Sequence, residues 1–267
     1  MSDAIKHECG IVLLRLRKPL QYYIDKYKTP SYAVNKMYLL MQKQLNRGQD
    51  GVGVANIKID MEPGYRYISR YRAIDSQPIE TLFQKIGRKY QKALKEGEEK
   101  YMDGAWLKQN VAFSGEVWMG HLRYGTHGKN NIENCHPFLR QNNWRSRNLV
   151  VAGNFNMTNV DELFEKLIEL GQHPKEKVDT VTAMEKIGHF LDEENELIFQ
   201  KHKNTHSKAE LTQLIEEKID LQRVLNRSCK DFDGGYAITG MVGYGAAFVA
   251  RDPVGIRPAY YYADDEV

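Results

Sequence analysis

Apolar residues form short runs near both ends of the chain and recur at helical spacing through its middle. Residues 9–16 (CGIVLLRL) are apolar and β-branched, which predicts a strand buried on both faces. Val34, Tyr38, Met41 and Leu45 fall on one face of a helix predicted over 31–45, and Arg47-Gly48 ends it. Strands are predicted over 52–59 and 65–71. Ile79, Leu82, Phe83, Ile86, Tyr90 and Leu94 then line one side of a second helix, with Lys and Glu on the other. Strand patterns return at 116–122 and 148–155. Asn159 with Glu162 forms a capping-box pattern ahead of Val160, Leu163, Phe164, Leu167 and Ile168, and Gly171 is placed to close that helix. Further helices are predicted over 180–191 and from Ser207, capped with Glu210, to Leu225. Residues 201–207 (KHKNTHS) read as the polar loop between them, and 236–242, 246–250 and 259–262 read as strands.

Strands, then helices, then strands suit an α+β layered domain with mixed or antiparallel sheets better than a regular βαβ alternation. A chain of 267 residues accommodates one large domain or two small ones. Its 42% hydrophobic and 27% charged residues are those of a globular protein rather than a disordered one. With 38 basic against 35 acidic residues the net charge is +3, too balanced to imply nucleic acid or a membrane surface as partner. The three cysteines, Cys9, Cys135 and Cys229, lie far apart, which argues against a disulfide framework or a cysteine-built zinc site and for a reducing, cytoplasmic setting. No run has the length of a membrane-spanning helix, and Ile11–Leu14 is too short for a signal peptide. The sequence ends ADDEV directly after a strand-like run, which suggests a piece of a longer polypeptide.

Candidate chemistry starts with Cys9 at the head of the first predicted strand. As a free cysteine it reads as a small buried residue. Its position adds a second reading. Were residues 1–8 removed, Cys9 would own an α-amine with a pKa of about 7.7–8.0, able to hold the thiol proton near neutral pH. Within the Glu8–Cys9 peptide bond that nitrogen is an amide and cannot act as a base.

Other polar clusters stand at strand ends. NRGQDGVG (46–53) gathers three glycines around Arg47, Gln49 and Asp50, a backbone able to approach a ligand or the Cys9 strand closely, or simply a helix end and hairpin turn. GHLRYGTHG (120–128) offers the planar fork of Arg123 to a carboxylate and the hydroxyl of Thr126; as structure it is a turn with His121 in the core. In VVAGNFNMTN (150–159) a side-chain amide beside a free backbone N–H can form an oxyanion hole, while Asn156, Thr158 and Asn159 serve as caps. RDPVGIRPAYYY (251–262) reads as a rigid turn between strands. His202 and His206 have no carboxylate or cysteine beside them, so no metal site is expected.

ECGIV, NRGQDGVG, GHLRYGTHG, GNFNMTN and RDPVGIRP occur in the order and rough spacing of the class II glutamine amidotransferase domain, and the resemblance runs from Cys9 to the end of the chain. NRGQDG is similar to the amidophosphoribosyltransferase branch of that family. The resemblance implies an N-terminal-nucleophile hydrolase with a four-layer αββα sandwich over 9–267, preceded by a self-removed leader over 1–8. It implies that Cys9 attacks the carboxamide of L-glutamine and that Arg47 supports the loop beside it. Arg123 would bind the substrate α-carboxylate with Thr126 nearby. Asn154 and the backbone N–H of Phe155 would form the oxyanion hole, and Asp179 would pair with the α-amine. No cofactor is implied for this domain. The implied ammonia acceptor is a phosphoribosyltransferase domain, whose acidic pyrophosphate loop is not found in this sequence, or another acceptor; a homo-oligomer is left open. The sequence departs from the family at Gly153-Asn154-Phe155, where His-Asn-Gly is common, at Gly125, where serine is common, and at His127, where a small residue is common. The competing reading is a non-catalytic glutamine-sensing or interaction domain that keeps its leader.

Overall fold

The computed structural model describes residues 8–125 and 131–267. The chain divides into two compact units: Met1–Pro137 with Ala152–Asn154 and Tyr260–Val267, and Phe138–Val151 with Phe155–Ala259.

The first unit is built on a four-stranded sheet of β1 (Gly10–Arg15), β2 (Gly51–Ile57), β3 (Ile68–Ala73) and β4 (Val117–Arg123), in the order β1-β4-β2-β3. All its ladders are antiparallel, and the register sets Gly10 opposite Leu122 and Gly51 opposite Arg123. Helices α1 (Leu20–Tyr27), α2 (Tyr32–Gln42), α3 (Pro78–Glu96) and α4 (Gly104–Asn110) belong to the same unit. The apolar stripe of α3, Ile79, Leu82, Phe83, Ile86 and Tyr90, is buried in one core with Val12, Leu14, Val52, Val54, Trp118 and Leu122. The burial of such side chains, each contributing about 1.5–3 kcal/mol, fixes the helix against the sheet.

The second sheet is β5 (Phe138–Arg140), β6 (Leu149–Met157), β7 (Gly234–Val242) and β8 (Ala247–Arg251), adjacent in that order; all of it except Ala152–Asn154 of β6 belongs to the second unit. Its helices are α5 (Val160–Glu169), α6 (Asp179–His202), α7 (Lys208–Lys218) and α8 (Leu221–Cys229). Leu149, Val151, Leu163, Ile187, Leu191, Val224 and Ile238 share its core. Arg140 is paired with Glu185 and Asp192. The RDPVGIRP segment is a turn closed around the buried Asp252, whose carboxylate accepts from the backbone N–H groups of Ile256 and Arg257.

The α+β expectation holds, and the registered ladders of both sheets are antiparallel. Several local expectations need correction. Residues 259–262 form no strand, and Tyr260, Tyr261 and Tyr262 are exposed. The single helix expected from Ser207 to Leu225 is two, α7 and α8, because Asp220 caps a new start through its bond from the N–H of Arg223. Asn159 makes no cap to α5; its side chain bonds instead to the backbone of Asp231 and Asp233. The 180–191 helix runs on to His202, so the expected 201–207 loop is shorter. Ser207 and Glu210 do form the reciprocal capping box.

Candidate functional site

Cys9 immediately precedes β1, and its thiol sulfur accepts from the backbone N–H of Tyr124 at 3.5 Å. Tyr124 stands just past the end of β4, the strand that pairs with β1, so the ladder register brings it to the head of β1. Arg47, at the end of a short 3-10 turn (Leu45–Arg47), reaches the same place from the loop before β2. Its Nη2 lies 3.1 Å from Oε2 of Glu8, and its Nε donates to the carbonyl oxygen of Cys9 at 3.5 Å. Asn154, 6% exposed, donates from Nδ2 to the same Oε2 of Glu8 at 3.1 Å. Cys9, Arg47 and Asn154, far apart in sequence, thus converge around the residue bonded to the Cys9 nitrogen.

The loop from 46 to 53 is held tightly. The N–H of Asp50 donates to the carbonyl of Arg123 at 3.1 Å, and the carboxylate of Asp50 accepts from the N–H of Gly125 at 2.8 Å. A side chain at Gly48 would stand 2.5 Å from the carbonyl carbon of Arg123, and one at Gly53 would overlap the carbonyl oxygen of His136. Close approach of two backbones is what these glycines permit. They face β4 and His136 rather than the Cys9 strand.

Arg123 is buried, 7% exposed, beside Cys135. Burial pushes the Cys135 thiol up, and the cations of Arg123 and Arg72 offset only part of that rise. His121, one turn of pleat earlier on β4, is buried, its pKa driven down to about 3 by desolvation. It stacks on His136 with ring centroids 4.1 Å apart. His136, too, is held well below the ordinary imidazole range, by desolvation first and then by His121 and Arg123. Among the described residues no three His, Cys, Asp or Glu side chains cluster as a metal site would need.

No family model matches the chain. Curated relatives do. The amidophosphoribosyltransferase of Methanothermobacter thermautotrophicus is 28% identical over 144 residues, 54% of this chain and 25% of the relative. That of Pasteurella multocida is 30% identical over 150 residues, 55% of this chain and 26% of the relative. The chain carries a class II glutamine amidotransferase-like domain. It spans about a quarter of the length of those curated relatives. A solved structure, the glutamine phosphoribosylpyrophosphate amidotransferase of B. subtilis complexed with ADP and GMP, aligns with 94% of this chain and 38% of its own, at 22% identity and a TM-score of 0.48.

Within this amidotransferase-like domain the residues singled out from sequence are distributed unevenly. Cys9, Arg47, Arg123 and Asn154 all lie in the first unit. Phe155 and Asp179 are assigned to the second. Asp179 is the first residue of α6, where burial raises its pKa and the N–H of Thr180, 2.7 Å away, partly offsets the rise. Thr126 and His127 lie outside the described residues. No local sequence signal marks His136 or the engagement of the Glu8 side chain. His136 sits in a segment without periodicity, and its partners His121 and Gly153 are 15 and 17 residues away. Among the described residues, no helix is long and apolar enough to cross a membrane.

Proposed function

We propose that this chain is the glutaminase domain of an amidophosphoribosyltransferase-like enzyme. It hydrolyses L-glutamine to glutamate and ammonia through a γ-glutamyl thioester on Cys9, the ammonia being destined for phosphoribosylamine formation in purine synthesis. In this reading residues 1–8 are a leader, and 9–267 adopt the αββα sandwich of N-terminal-nucleophile hydrolases. A phosphoribosyltransferase domain accepts the ammonia, in a reducing cytoplasmic setting. The observation that carries the proposal is the convergence of Arg47 and Asn154 on Glu8, the residue whose peptide bond blocks the Cys9 amine.

Leader removal frees the α-amine of Cys9, which takes the thiol proton as sulfur attacks the glutamine Cδ. The tetrahedral oxyanion is met by the Asn154 amide and the Phe155 N–H. The C–N bond then breaks, the amine returns its proton to the departing nitrogen, and ammonia leaves. Water, deprotonated by the same amine, adds to the thioester carbonyl; the C–S bond breaks, releasing glutamate and the thiol. Arg47 steadies the loop beside Cys9. Arg123 takes the substrate α-carboxylate, with Thr126 beside it, and Asp179 takes the α-ammonium, whose charge would offset the burial that raises the Asp179 pKa.

The test is release of glutamate and ammonia from L-glutamine by chain beginning at Cys9. Cys9→Ala is expected to abolish it, and Asn154→Ala to lower kcat about 100- to 1,000-fold. Turnover that survives Cys9→Ala would contradict the proposal.

The bond from Asn154 to Glu8 also favours a second reading, in which the leader stays and the domain senses glutamine without turning it over. A preparation that retains Glu8, binds glutamine and releases no ammonia would support it.

A further inference from the structure

Gly153 precedes Asn154, and the peptide groups on both sides of its Cα are held by imidazoles. The Gly153 N–H donates to Nδ1 of His136 at 3.2 Å, and the Gly153 carbonyl oxygen, part of the peptide that enters Asn154, lies 3.3 Å from Nε2 of His121. A carbonyl only accepts, so His121 carries its proton on Nε2. A nitrogen that accepts an N–H is unprotonated, so His136 carries its proton on Nε2 as well. The rings stack on each other with 25° between their planes. The backbone of His136 is fixed in turn by β2, where a side chain at Gly53 would overlap its carbonyl oxygen. Glycine at 153 offers no side chain to packing, so its peptide orientation is set by what binds its N–H and C=O.

We infer that His121 and His136 are positioning residues that clamp the backbone at Gly153 and thereby aim the side-chain amide of Asn154. The inference rests on the reading of Asn154 as the oxyanion donor. It adds that the donor is preorganised by two neutral histidines that touch no reacting atom. A displacement near 1 Å at a reacting centre costs on the order of a hundredfold in rate, and a loosened donor should cost part of that.

The kinetic test uses His136→Leu, which removes the acceptor, and His136→Asn, whose amide oxygen stands near the place of Nδ1. On L-glutamine, His136→Leu is expected to lower kcat about tenfold with KM within about twofold. His136→Asn should restore most of the loss. In an Asn154→Ala background His136→Leu should cost less than about twofold more, because the group it positions is gone. Equal losses in both backgrounds, or no recovery with asparagine, would overturn the clamp.

A second measurement needs neither a variant nor activity. In uniformly 15N-labelled protein, a scalar coupling across the hydrogen bond between the Gly153 nitrogen and Nδ1 of His136 is expected, with both rings as Nε2–H tautomers. A proton on Nδ1 of His136, or no coupling, overturns the clamp. A protein that shows the coupling and has no glutaminase activity would sink the functional reading and leave the clamp standing.

Discussion

Oε2 of Glu8 sits 3.1 Å from Nδ2 of Asn154, so the side chain just before Cys9 occupies the amide assigned to the oxyanion. The same oxygen meets Arg47 at 3.1 Å, and the two side chains of that ion pair are 35% and 29% exposed. A partly exposed pair of this kind contributes little, about 0.5 kcal/mol. The contact matters for what it occupies more than for what it stabilises.

Asn154→Asp places a second carboxylate against Glu8. In a Cys9→Ala background, which keeps residue 8 attached, it is expected to destabilise the fold on the order of 1 kcal/mol at pH 8. Like charge raises the folded pKa of the carboxylate pair above its unfolded value. The penalty is therefore present above the folded pKa and disappears as pH falls through the carboxylate range. Urea melts at pH 8 and pH 4.5 check this, and Glu8→Gln added to Asn154→Asp should remove the pH dependence.

The stacked histidines predict acid sensitivity. Both are buried neutral, His121 with a pKa of about 3 and His136 well below the ordinary range. Arg123 acts on both rings and on Cys135, and Arg70 and Arg72 on β3 hold the backbone of Pro137 and of Glu133 and Cys135. Because the folded pKa values are depressed, the unfolded chain binds more protons. Stability is whole above about pH 6.5 and falls as pH drops from there toward the folded values, by up to about 2.7 kcal/mol per pH unit for two protons. Urea melts between pH 7.5 and 5 should show this slope, and His136→Asn should remove about one proton from it.

Glycine positions separate packing from propensity. Gly53→Ala, which drives a methyl into the carbonyl of His136, is expected to cost about 3 kcal/mol or more or to prevent folding. Gly87→Ala, inside α3 with nothing within 4 Å of the added carbon, should stabilise by roughly 0.5–1 kcal/mol. Thermal melts of the two variants decide the point.

Thiol reactivity should be selective. Burial pushes Cys135 up and Cys229 up to about 11, which leaves both as inert thiols near neutral pH. Native protein treated with iodoacetamide at pH 7.5 is expected to be alkylated at Cys9 alone, as peptide mapping would show. Alkylation of Cys135 before Cys9 would contradict the burial argument.

The fold was legible where burial imposes a period. β1, β2 and α3 lie close to their predicted bounds, because Val12, Val52 and the Ile79–Tyr90 stripe must face a core. It was less legible where a local contact decides. The eight-residue α1 shows too little period, and the split between α7 and α8 depends on one aspartate cap. The 259–262 run has strand composition but gains no ladder partner among the described residues. At the site, glycine-rich motifs marked the loops that meet Cys9. The pairing of Glu8 with Asn154 and the clamp on Gly153 join residues far apart in sequence, and no local pattern encodes either.

Cys9 is proposed to become the N-terminal nucleophile of a glutaminase. Intact-protein mass, before and after incubation with a diazoketone analogue of glutamine, tests it most directly. Loss of residues 1–8 followed by a single adduct on Cys9 is expected. A chain that retains Glu8 and takes no label would contradict it.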